Sequence, residues 1–259
     1  MMIPVAMTIA GSDPSGGAGL QADLKTFHQR QVYGTSIVTL LTVQNTVTVS
    51  QVRVMDPDFV VAQLDSVLSD LSPAAAKTGA LGSAEVIAAV ASRAVDFDFP
   101  FVIDPVMISK HGARLIDEDA LVVLREQLLP CACLITPNLA EAEVLAKIEV
   151  HDLPSMEAAA GKIGAQGIAN VLVKGGHLAD SATDVLWCGG QIHRIQAARI
   201  DSRNTHGTGC VYSAAITAEL ARGAPLIDAV WQAKRFVTEA IRRSPDLGQG
   251  CGPVNLHVS

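Results

Sequence analysis

The chain has 259 residues, 49% of them hydrophobic and 17% charged, with a formal net charge of −7. A chain of this length buries a large core without disulfide or metal staples, and an acidic chain with no basic run argues against nucleic acid as a partner. No apolar stretch approaches the roughly 18 residues of a membrane span, and Met1 to Ala10 lacks the charged flank of a secretory leader. The five cysteines, Cys131, Cys133, Cys188, Cys210 and Cys251, form no C-x-x-C pair. They read as reduced thiols of a cytoplasmic protein.

Ile3 to Ala10 predicts a strand running into the loop Gly11-Ser12-Asp13-Pro14-Ser15-Gly16-Gly17. A helix follows from Gly19 to Gln31. Thr35 to Val43 is β-branched and apolar, a buried strand. Asp56 and Pro57 are an N-cap and first-turn pair opening a helix to Leu68. Ala74 to Thr78 is a strand closed by Gly79, and Ser83 starts a helix to Arg93. Pro100 to Val106 is an apolar strand that meets an acid, Asp104. A helix is expected from Asp117 to Leu129, a strand from Ala132 to Thr136, and a helix from Leu139 to Ala146. Ser155 is read as the cap of a helix to Gln166. Asn170 to Lys174 is a strand ending in Gly175-Gly176-His177. Thr183 to Cys188 and Gln191 to Arg199 alternate across Gly189-Gly190, a two-residue hairpin. Arg222, Gly223 and Pro225 stop a helix that begins near Gly209, and a last helix runs from Pro225 to Arg242. The tail from Gly248 to Pro253 reads as irregular.

Strands alternating with helices predict an α/β fold, a mostly parallel sheet with helices on both faces, in one domain spanning 1–259. Ligands of such sheets bind beyond the carboxyl ends of the strands. That edge gathers the loops after Ala10, Val43, Thr78, Ile103, Thr136 and Lys174. The stretch Asn204-Thr205-His206-Gly207-Thr208-Gly209-Cys210 brings a glycine-rich turn into a helix N-terminus. Unpartnered amides and the positive end of the helix dipole suit a phosphate there. Cys210 follows directly, where a thiol pKa tends to fall; a small packing residue is the plainer alternative. Gly17 to Ala22 fits a loose G-x-G-x-x-A pattern, but no acid ends the next strand to hold a ribose, and no Walker A sequence occurs. Asp13 and Asp23 bracket this first loop, as caps or as site residues. Gln44 and Asn45 end a buried strand, where an amide offers both donor and acceptor to a heteroaromatic ring. Asn138 and Glu141, three apart on a first helical turn, are either a capping pair or an Mg²⁺ site working through water. Lys174 places a point charge for phosphate at a strand end.

Taken together, Thr8 to Gly19, Gln21 to Thr26, Gln44-Asn45, Asp104 to Met107, Ile135 to Asn138 with Glu141, Lys174 to His177, and Asn204 to Cys210 resemble the hydroxymethylpyrimidine/phosphomethylpyrimidine kinase family of the ribokinase-like superfamily. The resemblance covers almost the whole chain. It implies a ribokinase-like domain that uses ATP and Mg²⁺ to phosphorylate 4-amino-5-hydroxymethyl-2-methylpyrimidine, then its monophosphate, in thiamine synthesis. It implies a homodimer. By resemblance Gln44 reads the pyrimidine, with Gly11, Asp23, Ala80 and Val106 lining the same pocket. Asn138 and Glu141 resemble the magnesium-and-phosphate pair. Lys174, Asp104 and Thr208 resemble ATP contacts, and Gly207, Gly209 and Cys210 the anion hole and its catalytic residue. Ala80 departs from the methionine usual at its position, leaving more room at the ring. Related kinases acting on pyridoxal and pyridoxine are the close alternative, and a non-catalytic nucleotide-binding regulator the more distant one.

Overall fold

The computed structural model describes residues 3–107, 116–176 and 182–258. Its strands are β1 Val5–Ser12, β2 Tyr33–Gln44, β3 Val49–Val54, β4 Ala75–Thr78, β5 Phe101–Ile103, β6 Leu134–Ile135, β7 Asn170–Val173, β8 Asp184–Cys188 and β9 Gln191–Ile195. The helices are α1 Gly19–Gln29, α2 Pro57–Leu68, α3 Ala84–Ala94, α4 Glu118–Val123, α5 Leu139–Ala146, α6 Leu153–Gly164, α7 Thr208–Ala221 and α8 Leu226–Arg242.

All nine strands form one sheet in the order β3-β2-β1-β4-β5-β6-β7-β8-β9. From β2 to β7 the pairing is parallel. β3 closes one edge and β8–β9 the other, both antiparallel. The chain leaves β1 for β2 and β3, then returns to place β4 on the other side of β1. Such a reversal opens a crevice at the carboxyl ends of β1 and β4.

Alternate residues of each strand face opposite layers. Ile103, Ile135 and Val171 meet the core shared with α2 to α6, while Val102, Leu134 and Leu172 meet the core under α7 and α8. Burial of each such side chain is worth roughly 1.5–3 kcal/mol against exposure. Helix α7 lies between the sheet, α1 and α8, so Val211 through Glu219 are buried on every side. The sequence spacing predicts one buried stripe; the layer above α7 buries the remainder.

Several boundaries differ from expectation. β3 is absent from the sequence reading: Ser50 to Val54 are exposed, so no face is consistently apolar. Asp152 rather than Ser155 caps α6. Ser155 is its capping-box partner, accepting from the Asp152 amide. The helix expected to Leu129 is regular only to Val123, then widens to π-type turns at Leu124–Leu128 and tightens to 3-10 at Leu129–Cys131. Pro130 cannot donate into an α-helical ladder. The hairpin is as read: Gly189 and Gly190 both have positive φ, 57° and 78°, the signature of a type I′ turn, and β9 ends at Ile195. The tail lacks regular structure but is docked, with Val254, Leu256 and Val258 buried against α7 and α8.

Candidate active site

Two glycine loops meet at the carboxyl edge. Gly207 opens α7 in the left-handed region at φ 77°. A Cβ added there would lie 1.8 Å from the Gly17 carbonyl oxygen, so only glycine lets these backbones touch. Beyond Gly207 the chain turns helical. The Thr208 amide and hydroxyl both donate to the Thr205 carbonyl, at 3.3 and 2.8 Å. The amides of Gly209 and Cys210 find no acceptor among the described residues. They lie at the positive end of a fourteen-residue helix.

Around this cradle sit paired charges. Lys174 Nζ is 2.7 Å from Asp104 Oδ1, and a Cβ on Gly209 would be 3.5 Å from that ammonium. Asp104 is buried and also accepts from Thr136 Oγ1 at 3.1 Å and from Ser213 Oγ at 3.4 Å. Burial works against its charge, but Lys174 and Lys77 outweigh that and hold its carboxyl below the usual range. A second pair is wholly enclosed: Lys77 Nζ lies 3.0 Å from Asp23 Oδ1, and Thr8 Oγ1 donates to Asp23 Oδ2 at 2.6 Å. Burial disfavours the Lys77 ammonium, yet Asp23, Cys210 and Asp104 together keep its pKa raised.

Two expectations change on this geometry. Asp23 does not line an open pocket; its carboxylate is spent on Lys77 and Thr8, with no exposed surface. Asp104, an acid at a strand end where a cation could be held, pairs with Lys174. The Cys210 thiol is not lowered by the helix N-terminus. Burial pushes it up to about 11, and the carboxylates of Asp23 and Asp104 add to burial, against opposition from Lys77 and the Gly19 amide.

Asn138 and Glu141 are a reciprocal capping box. Asn138 Oδ1 accepts from the Glu141 amide at 2.9 Å, and Glu141 Oε2 from the Asn138 amide at 2.8 Å. Burial pushes the Glu141 carboxyl up to about 7, with Lys174 pulling it down and Asp104 up. A buried carboxyl is chemically suited to a hard divalent cation. No group of three or more candidate metal ligands occurs among the described residues. A protein contribution of one or two carboxylates is the pattern of Mg²⁺ held mainly by water and phosphate.

At the end of β2, Gln44 is half-buried. One end of its amide is 3.3 Å from His206 Nε2 and the other 3.2 Å from Thr42 Oγ1. His206 Nε2 is 2.8 Å from Asp13 Oδ2. The Asp13 carboxylate also accepts from the amides of Ser15 and Ala18. The docked tail braces this corner, since the His206 amide donates to the Gly252 carbonyl at 3.0 Å. Gly11 is packed under Leu40 and against Gly19. Ala80 and Val106 are half-buried on the loops after β4 and β5, Val106 beside a small cavity with Thr78, Gly79 and Asp104. His177 of the Lys174 motif lies outside the described residues.

Sequence reasoning gave no role to Lys77, nor to His206 within the Asn204 to Cys210 stretch. Lys77 was visible as a lone cation inside an apolar strand, a costly placement without a partner. A larger trough of about 610 Å³ along α8, lined by Arg30, Trp231 and Arg235 among others, shares no residue with this site.

A family model described as phosphomethylpyrimidine kinase matches residues 13–255. The chain belongs to the phosphomethylpyrimidine kinase family. It is 46% identical to the hydroxymethylpyrimidine/phosphomethylpyrimidine kinase of Synechococcus elongatus, covering 98% of this chain and 97% of that one. It is 49% identical to the thiamine biosynthesis bifunctional protein ThiED of Geobacter sulfurreducens over 96% of this chain, but spans only 51% of that longer protein. Among solved structures it resembles an ADP complex of Bacillus subtilis pyridoxal kinase, with TM-score 0.92 and 41% identity over 98% of this chain and 97% of that one. It also resembles the phosphomethylpyrimidine kinase of Clostridium difficile, with TM-score 0.82 and 38% identity over 93% and 100% of the chains. The sheet with helices on both faces is therefore that of the vitamin kinases, and the chain is an enzyme of this family.

Proposed function

We propose that this kinase transfers phosphate from ATP to the hydroxymethyl group of 4-amino-5-hydroxymethyl-2-methylpyrimidine and then to the resulting monophosphate, in thiamine biosynthesis. The observation that carries this reading is the contact between the two glycine loops, which sets the unpartnered Gly209 and Cys210 amides within reach of Lys174. Phosphoryl transfer needs positioning and charge stabilisation more than covalent help. The amides and Lys174 stabilise the charge on the phosphoryl group as it passes from ATP to the substrate oxygen, ADP leaving, and Asp104 keeps Lys174 in place. Mg²⁺, carried in with the nucleotide, would be held through Glu141 and Asn138 and would neutralise phosphate charge. Gln44 reads the ring, with Ala80 and Val106 beside it and the Gly11 to Gly19 loop behind. The Cys210 thiol, protonated in the resting protein, takes up the alcohol proton only from its thiolate form.

Residues 1–259 are read as one kinase domain working in the cytoplasm, a reading that five free thiols support. Pairing with a second copy is supported by the β2–β3 ribbon, which exposes Leu41, Val43, Val52 and Val54. Sedimentation equilibrium tests this, and a monomer at micromolar concentration would refute it. ATP consumption with the pyrimidine, its monophosphate and pyridoxal side by side tests the activity. The pyrimidine and its monophosphate are expected to give the highest kcat/KM. Preference for pyridoxal would favour the second reading, to which the fold likeness to pyridoxal kinases and the space at Ala80 both lend support.

A further inference from the structure

We infer that His206, held by Asp13, fixes which way round the Gln44 amide faces, and that this turns the acceptor ring so that its alcohol meets the phosphate cradle. The inference rests on the reading of Gln44 as the ring contact.

The argument is one of hydrogen counting. Asp13 receives hydrogen bonds from the Ser15 amide and hydroxyl and from the Ala18 amide, and lies 2.8 Å from His206 Nε2. A carboxylate with such donors is ionised and only accepts. His206 Nε2 therefore carries a hydrogen, whether the ring is neutral or cationic. As placed, Gln44 turns its Nε2 toward that nitrogen at 3.3 Å. The single Nε2 hydrogen is directed at Asp13 and reaches Gln44 only as the longer arm of a shared, three-centre contact. Two N–H groups facing each other would repel, so the amide oxygen belongs there, and the hydrogen-bond network is what decides amide orientation.

The opposite end of the amide gives the same answer independently. As placed, Gln44 Oε1 faces Thr42 Oγ1 at 3.2 Å. The single Thr42 hydroxyl hydrogen is already directed to the Ser12 carbonyl at 3.0 Å. Thr42 Oγ1 can then only accept, so the amide NH₂ belongs on its side. One half-turn of the amide satisfies both contacts.

The consequence is directional. Gln44 offers a spare carbonyl lone pair on the His206 side and a spare N–H on the Thr42 side. In 4-amino-5-hydroxymethylpyrimidines the amine is flanked by the hydroxymethyl carbon on one side and a ring nitrogen on the other. The amine donates to the carbonyl and the ring nitrogen accepts from the N–H. The hydroxymethyl carbon then falls on the His206 side, next to Gly207–Cys210. The reversed amide would turn the alcohol toward Thr42. A ring lacking the amine and adjacent nitrogen gains nothing from this arrangement. His206 is thus a positioning residue for substrate choice, acting through Gln44.

Two measurements test this. In ligand-free, ¹⁵N-histidine-labelled wild-type protein, the His206 Nε2 resonance, assigned by its loss in His206→Gln, is expected to be of the protonated type. A pyridine-type Nε2 would overturn the inference. In kinetics, His206→Phe is expected to raise KM for the pyrimidine about tenfold, the scale of one hydrogen bond, with KM for ATP and kcat/KM for pyridoxal within about twofold. His206→Gln, whose amide can donate to both Asp13 and Gln44, should restore most of the loss. Equal impairment with all substrates, or none, would overturn the inference. Gln44→Ala separates the two levels. If it leaves the pyrimidine KM unchanged, the reading of Gln44 fails; if it raises KM while His206→Phe does not, the positioning role alone fails.

Discussion

Replacing Gly207 with alanine isolates what the contact between the glycine loops contributes. Its φ of 77° costs an L-residue roughly 1–2 kcal/mol by itself. The larger effect is steric. The new Cβ would sit 1.8 Å from Gly17 O, whereas ordinary contact begins at 3.4 Å, so the loops must part by about 1.6 Å. Displacement of reacting groups by ~1 Å costs on the order of 10²-fold in rate. Gly207→Ala should therefore lose at least that in kcat while still folding. Gly223→Ala is the control: its φ is 86°, with nothing within 4 Å of an added Cβ. It takes the backbone cost alone, a Tm drop of roughly 2–4 °C per kcal/mol in a domain of this size, with kcat unchanged. Steady-state kinetics and thermal melts on both variants decide the matter. If Gly207→Ala keeps kcat within about threefold, the cradle is not where the phosphoryl group moves.

Two further outcomes follow from the buried acids and thiol. With the Cys210 thiol at about 11, turnover limited by its thiolate should climb with pH from 6.5 to 9; Cys210→Ala should lose on the order of 10²-fold and flatten that profile, and full activity would assign the role to the backbone amide alone. Glu141 titrates at about 7 when folded against an ordinary 4.5, so the folded state holds its proton more tightly. That contribution is complete below pH 4.5 and is lost as pH rises to 7, to the extent of about 3 kcal/mol. Glu141→Gln keeps the capping geometry and removes the titration. Urea unfolding in chelator at pH 4.5 and 7.5 should show wild type losing stability relative to the variant, and parallel stabilities would refute the burial argument.

The fold was legible because its signals are local. Asp56-Pro57, Ser83 and Asn138 with Glu141 announce helix starts, β-branched and apolar runs announce strands, though the far half of β2 is exposed at Leu41 and Val43, and Gly189-Gly190 announces a hairpin. β3 escaped because it is exposed, and exposure leaves no periodic record in the residues. The glycine turn before α7, Lys174 and Gln44 were visible for a similar reason: a glycine pair at a helix start, and a lone cation and a lone amide at strand ends. What each of those groups is bonded to was decided only in three dimensions. Asp23 meets Lys77 and Asp13 meets His206 across 54 and 193 residues of chain, and Lys174 meets Asp104 across 70. Only the folded sheet sets those distances. Burial is equally a property of the packed whole: the same cysteine that a helix N-terminus favours as a thiolate is held as a thiol because α7 lies enclosed between sheet and helices. The sequence determined which chemical groups are present and on which edge they stand; the tertiary structure determined their partners and protonation, because desolvation and charge pairing depend on what surrounds a group in space and not on its neighbours in the chain.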